Sequence, residues 1–304
     1  MGMLINYSSR SELNYRLDSL RLYLMCYTII ISVRNSCRPK YIPSSSERIV
    51  LMELLDPTNL VFLIVLGFIA SFIDVAVGGG GLISLPALLW TGLPPVLALG
   101  TNKCAAVMGA LVGFITFVRS GNVDVPLMKK LFPLSLTGSL LGVLTVHVIP
   151  PDILQPLVVV MLIAVLIYSL LKKDWGNENH YHGLSSRMLM LAGLTAFALG
   201  FYDGFFGPGT GSFLLFALLS IGFDFLRAAG NARTLNFASN LSAALFFAFL
   251  GQIDYAYALP MGAAMILGAY CGARMALTKG VGYVKPLFIG VTAILIGKLI
   301  YQLI

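Results

Sequence analysis

Ten nearly uncharged apolar segments follow one another along this chain, and they decide what it can fold into. They cover approximately residues 59–77, 82–91, 97–118, 127–149 and 152–171, then 188–206, 210–221, 232–250, 257–275 and 285–304. One globular core cannot bury so many apolar runs, whereas a bilayer is crossed by helices of about 20 such residues. Only 11% of the 304 residues are charged and 58% are hydrophobic, against about 25% charged in a soluble domain. Lipid offers no partner to the backbone, so each crossing segment must satisfy its own N–H and C=O groups as a helix. The expected fold is an all-α polytopic membrane protein with about 8–10 membrane segments.

Two of these segments, 82–91 and 210–221, are too short to cross alone, and each follows a glycine cluster. The first cluster is Phe72-Ile-Asp-Val-Ala-Val-Gly-Gly-Gly-Gly-Leu82, the second Phe201-Tyr-Asp-Gly-Phe-Phe-Gly-Pro-Gly-Thr-Gly211. Asp74 and Asp203 each stand four residues before their glycines. Glycine weakens a helix, and a carboxylate in an apolar run is costlier still. The pattern reads as a helix broken at the glycines, a geometry tolerated in a membrane where it is buried or lines a cavity.

The two motifs belong to a larger internal repeat. Asp74 and Asp203 are 129 residues apart; beyond one inserted residue the offset is 130. At that offset Gly100-Thr-Asn-Lys103 matches Gly230-Asn-Ala-Arg233, and Gly138 and Gly142 match Gly268 and Gly272. Each of the latter pairs is a GxxxG that lets helix backbones approach. Loop charges give the halves opposite orientation. Arg119, Lys129 and Lys130 follow the third segment of the first half, while the equivalent loop 251–257 has no Lys or Arg. Basic loops stay on the cytoplasmic side, so the chain is expected to contain two inverted-topology repeats, the plan of many secondary transporters. The first repeat is expected over 52–171 and the second over 188–304, joined by a cytoplasmic loop at 172–187. Residues 1–51, with an apolar run from Leu22 to Val33 too short to span, are expected to be a poorly ordered extension, or a start called too early, with Met52 opening the membrane part.

Composition excludes several classes. The formal charge of +7 could suit nucleic acid, but seven basic and three acidic residues of that balance fall within 1–51. The other basic residues lie mostly in short loops, so the expected surroundings are a lipid bilayer and no nucleic acid. Cys26, Cys37, Cys104 and Cys271 show no paired spacing and the three histidines are scattered, so no metal or other cofactor is expected. No nucleophile–base pair points to an enzyme, and Gly78–Gly81 lacks the lysine of a phosphate loop.

The candidate binding residues follow from the breaks. Gly78, Gly79, Gly80 and Gly81 in one half, and Gly207, Gly209 and Gly211 in the other, free backbone N–H groups at a restarting helix, a ready anion site. Close helix packing without a ligand is the alternative. Lys103 and Arg233 open long apolar segments at matching positions, with Asn102, Asn231, Asn236 and Asn240 nearby. They either snorkel to headgroups or hold an anion. Asp74 and Asp203 either pair with these cations or carry a proton during transport, and capping of the restarted helix is a third role. Trp90, Tyr255 and Tyr257 read as interfacial anchors.

At these same residues the chain resembles the sulfite exporter TauE/SafE family of bacterial membrane proteins, in its YfcA-like branch. The likeness rests on Phe72 to Asp74, Gly78 to Leu82 with Pro86, Ala98 to Lys103, Gly200 to Phe213 and Asn231 to Asn236, and covers about Met52 to Ile304. Arg233 departs from it, standing where lysine is expected. The resemblance implies a multi-pass inner-membrane transporter of small organosulfur anions such as sulfite. The combined expectation is a secondary transporter of a small anion, with proton coupling open and oligomeric state unassigned. The rival reading is a membrane assembly or sensor protein that moves nothing.

Overall fold

The computed structural model of the chain describes residues 57–171 and 186–279. The expectations for residues 1–51, for most of the 172–187 loop and for the segment 285–304 lie outside them. The described residues form nine helices and no strand: α1 Pro57–Val77, α2 Gly81–Trp90, α3 Pro95–Arg119, α4 Val125–His147, α5 Pro151–Leu171, α6 Ser186–Phe205, α7 Thr210–Ser220, α8 Phe225–Phe249 and α9 Tyr255–Lys279. Five of them (α1, α3, α4, α6 and α9) contain stretches long and apolar enough to cross a membrane.

Local chemistry sets the helix starts. Pro95 begins α3, where a missing N–H costs nothing. Asp124 accepts from the Leu127 N–H at the start of α4, and Asp224 from the Arg227 N–H at the start of α8. The second cap corrects the sequence reading, which began the eighth segment at 232. α8 instead begins at Phe225 and takes in Arg227 and Asn231. Arg233 therefore lies about two turns inside a helix, as does Lys103 in α3. Neither is near enough to a helix end to snorkel; their relative exposures are 1% and 2%.

α2 and α7, of 10 and 11 residues, rise only about 15 Å each, half of a hydrocarbon layer about 30 Å thick. α8 is full length but polar, and it survives because it is central. Asn231, Arg233, Asn236, Ser239, Asn240 and Ser242 are all buried, against α3, α4, α6 and α7.

The outer helices pack through small residues. Gly138 and Gly142 of α4 lie on the α6 backbone at Phe197 and Phe201, and Gly268 and Gly272 of α9 on the α1 backbone at Phe68 and Phe72. A Cβ at any of the four would meet those backbones. Ser135 and Ser139 of α4 then reach α8, donating to the carbonyls of Leu235 and Ser239 at 2.9 and 2.6 Å. Loop contacts also come in exchanged pairs. The Asp124 N–H donates to Asn231 Oδ1 at 2.8 Å, and the Asp254 N–H to Thr101 Oγ1 at 2.9 Å. Thus α1 packs on α9 and α6 on α4, so that the first helix of each sequence half rests on the fourth of the other.

Leu63, Leu85, Phe247 and Met261 anchor one buried apolar cluster, and Phe117, Leu131, Leu214 and Phe223 a second. Tyr257, expected at the interface, is only 1% exposed and belongs to the first cluster. Trp90 is partly buried, its ring 5.3 Å from that of Phe62. Val61, Val65, Leu141, Leu191, Leu194, Leu245 and Phe249 face outward. Such a surface suits hydrocarbon and not water.

Candidate functional site

The two glycine breaks meet. Gly78 and Gly79 take φ of +83° and +92°, and Gly207 and Gly209 take +100° and +86°, backbone that only glycine enters freely. The chain turns there, and α2 and α7 restart beside each other. Gly78 abuts the Gly211–Ser212 backbone and Gly81 sits on Pro208. Tyr202 Oη donates to the Pro208 carbonyl at 2.6 Å, bracing the second turn. Two helix N-termini, each the positive end of its dipole, thus open at one place.

A pocket lies against these turns. Of the sequence-chosen residues, Asp74, Gly80, Gly81, Asn102, Lys103, Asp203, Gly207, Gly209, Gly211, Asn236 and Asn240 line it. The others do not. Gly78 and Gly79 form the turn behind it, and Asn231 is committed to the start of α4 through the Asp124 N–H. Arg233 points from α8 to the end of α1. Sequence reading missed Ser71, Ser84 and the apolar wall of Ala70, Ala106, Ala110 and Met265. Small residues in an apolar run look like packing residues; the one available signal was that Ser71 stands one turn from Asp74 on the same helix face.

The buried charges pair crosswise between the halves. Lys103 Nζ lies 2.7 Å from Asp203 Oδ1, with both side chains 2% exposed. Arg233 Nη1 lies 3.0 Å from Asp74 Oδ2 and also donates to the Asp74 backbone oxygen at 2.6 Å. A side chain at Gly207 would collide with the Lys103 ammonium, and one at Gly211 would crowd the Arg233 guanidinium. The glycines therefore make room for the cations as well as breaking the helices.

Around each acid the shell differs. Asp203 Oδ2 accepts from Asn240 Nδ2 at 3.1 Å, and Asn240 Oδ1 accepts from Lys103 Nζ at 3.3 Å. Asn240 Nδ2 also donates to the backbone and side-chain oxygens of Asn236. Asp74 Oδ1 instead accepts from the Gly80 N–H at 2.9 Å. Among the described residues, buried polar atoms without a partner include Asn102 Oδ1, Asn231 Nδ2, and Arg233 Nε and Nη2. Most buried polar atoms in proteins are satisfied, so such a group marks a strained or ligand-ready place. No cluster of three or more His, Cys, Asp or Glu suited to a metal occurs among the described residues.

Apolar helices of spanning length, arranged around a buried polar pocket, define a multi-pass membrane protein. The chain belongs to the sulfite exporter TauE/SafE family, which it matches over residues 63–299. It is thus a membrane transporter, and its relatives carry that description rather than an enzyme's. A probable membrane transporter protein of Haemophilus influenzae is 40% identical over 244 residues, covering 80% of this chain and 95% of the relative. A probable membrane transporter protein from Sinorhizobium is 37% identical over 79% of this chain and 92% of the relative. The probable membrane transporter protein YfcA of Escherichia coli is 34% identical over 82% of this chain and 92% of the relative. No solved structure matches the chain at a significant level.

Proposed function

We propose that the protein is a secondary transporter of a small anion, bound where the two broken helices meet. The observation that carries this reading is the joint position of two helix N-termini, the buried Lys103 ammonium and the Asn102, Asn236 and Asn240 carboxamides around one pocket, with the buried Arg233 paired to its Asp74. Helix N-termini and buried cations both favour negative charge. Arg233 Nε and Nη2 are donors buried without a partner, which an oxyanion reaching past Gly211 would satisfy. The family's description as a sulfite exporter makes sulfite and small sulfonates the first compounds to try.

The same reading includes two repeats of opposite topology, 52–171 and 188–304, in a bacterial inner membrane. The exchanged contacts at offsets of 129 and 130, such as Gly138 on Phe197 with Gly268 on Phe68, support it. So do the swapped loop charges and the bacterial origin of the relatives. Counterflow of labelled sulfite, methanesulfonate and acetate in proteoliposomes tests the function. Saturable exchange of at least one is expected, and no saturable exchange of any small anion would refute it.

A further inference from the structure

The two halves present matching acids and matching cations, yet the pocket favours one side. Subtracting the offset of 130, Asn236 and Asn240 of α8 correspond to Ala106 and Ala110 of α3. On the α8 side the two carboxamides fill the space beside the acid of their own half. Asn240 donates to Asp203 Oδ2 and accepts from Lys103, and Asn236 backs Asn240. The result is a closed network with the Asp203 side chain 2% exposed. On the α3 side the corresponding positions carry methyl groups, and both alanines line the pocket. Asp74, the acid of that half, is 23% exposed there. Both halves line the pocket, but only the first leaves its acid partly exposed beside alanines.

Two cations and two carboxylates sum to zero, so an anion entering a largely dry pocket adds an uncompensated negative charge. A proton taken up with the anion removes it. The groups facing Asp74 are the Arg233 guanidinium from α8 and the Gly80 N–H from the turn, while Lys103 of α3 and Asp203 of α6 line the same pocket. Asp203 is clamped on both oxygens by side chains and is only 2% exposed. Asp74 has an open side.

We propose that Asp74, and not Asp203, takes up a proton when the pocket is loaded, and that the anion occupies the Ala106–Ala110 side, in the place that Asn236 and Asn240 fill in the other half. The proton comes from the aqueous phase, bonds to a carboxylate oxygen of Asp74 and leaves with the anion, so charge balances over the cycle. Asp203 is a positioning residue that holds Lys103. The inference rests on the anion-transport reading, but one of its tests needs no anion.

The first test is difference infrared spectroscopy of the full-length protein between alkaline and acidic buffer. Wild type is expected to gain a carboxylic C=O band that Asp74→Asn lacks and Asp203→Asn retains. A band lost only in Asp203→Asn, or in neither variant, would overturn the assignment. The second is Ala110→Asn, which places a carboxamide beside Asp74 as Asn240 stands beside Asp203. This variant is expected to keep wild-type thermal stability, lose the titrating band, and exchange sulfite and methanesulfonate at least about tenfold more slowly. Wild-type titration in Ala110→Asn would refute the proposal even if Asp203→Asn does not fold. Absence of anion exchange in wild type would instead count against the transport reading, since the infrared result stands without it.

Discussion

Removal of Asp203 leaves the Lys103 ammonium in a dry interior with little to hold it. In wild type this ammonium meets Asp203 Oδ1 at 2.7 Å and, more weakly, Asn240 Oδ1 at 3.3 Å. Both members of the ion pair are 2% exposed, so water cannot take over the lost contact. Breaking a buried pair from one side costs about 3–5 kcal/mol, whereas replacing both partners with apolar residues of similar size is often near neutral. Asp203→Leu should therefore destabilise the fold by about 3–5 kcal/mol, a shift of roughly two to three and a half decades in the unfolding equilibrium. Lys103→Met with Asp203→Leu should recover most of that loss. The residue left over is Asn240, whose Nδ2 keeps Asn236 while its Oδ1 loses its donor, about 1–3 kcal/mol. Unfolding in detergent micelles, followed by circular dichroism as SDS is added, measures all four corners of the cycle. A double variant less stable than either single would refute the argument that the pair is held by mutual compensation of buried charge.

Anion affinity should fall about ten- to hundredfold in Lys103→Gln or Arg233→Gln while membrane insertion persists, because a hydrogen bond to a charged group contributes about 1.5–3 kcal/mol; thermal-shift titration with sulfite checks this. Arg233→Lys should not restore wild-type affinity, since a single ammonium cannot hold both the Asp74 backbone oxygen and an anion beyond Gly211. Gly142→Leu should abolish folded protein on size-exclusion chromatography, because a side chain there meets the α6 backbone, whereas Gly121→Ala, in open space at φ +74°, should cost only about 1–2 kcal/mol of backbone strain. Cysteines placed at Asn122 and Gln252 should label from opposite sides of the membrane, and labelling from one side would defeat the inverted-repeat reading.

The sequence by itself determined the solvent of each segment and where the helices break. Long apolar runs admit one backbone solution in lipid, so α1, α3, α4, α6 and α9 were legible from composition alone. The glycine clusters marked the breaks at Gly78 and Gly207 because no other residue enters positive φ at so little cost. Local patterning also brought eleven of the fifteen chosen residues to the pocket. Tertiary structure decided which acid meets which cation. Lys103 pairs with Asp203 across 100 residues and Arg233 with Asp74 across 159, each choosing the opposite half. Nothing within one helix specifies such a pairing; it depends on α3 and α8 packing together at the centre while α1 and α6 deliver the carboxylates from either side. Packing also separated Asn231 from Asn236 and Asn240, although all three lie on α8. One turns to the α4 cap and the others to the pocket, according to which neighbour each helix face meets. The difference between Asp74 and Asp203 has the same origin. Their sequence motifs match, but Asp203 is 2% exposed under the Asn240 carboxamide while Asp74 is 23% exposed.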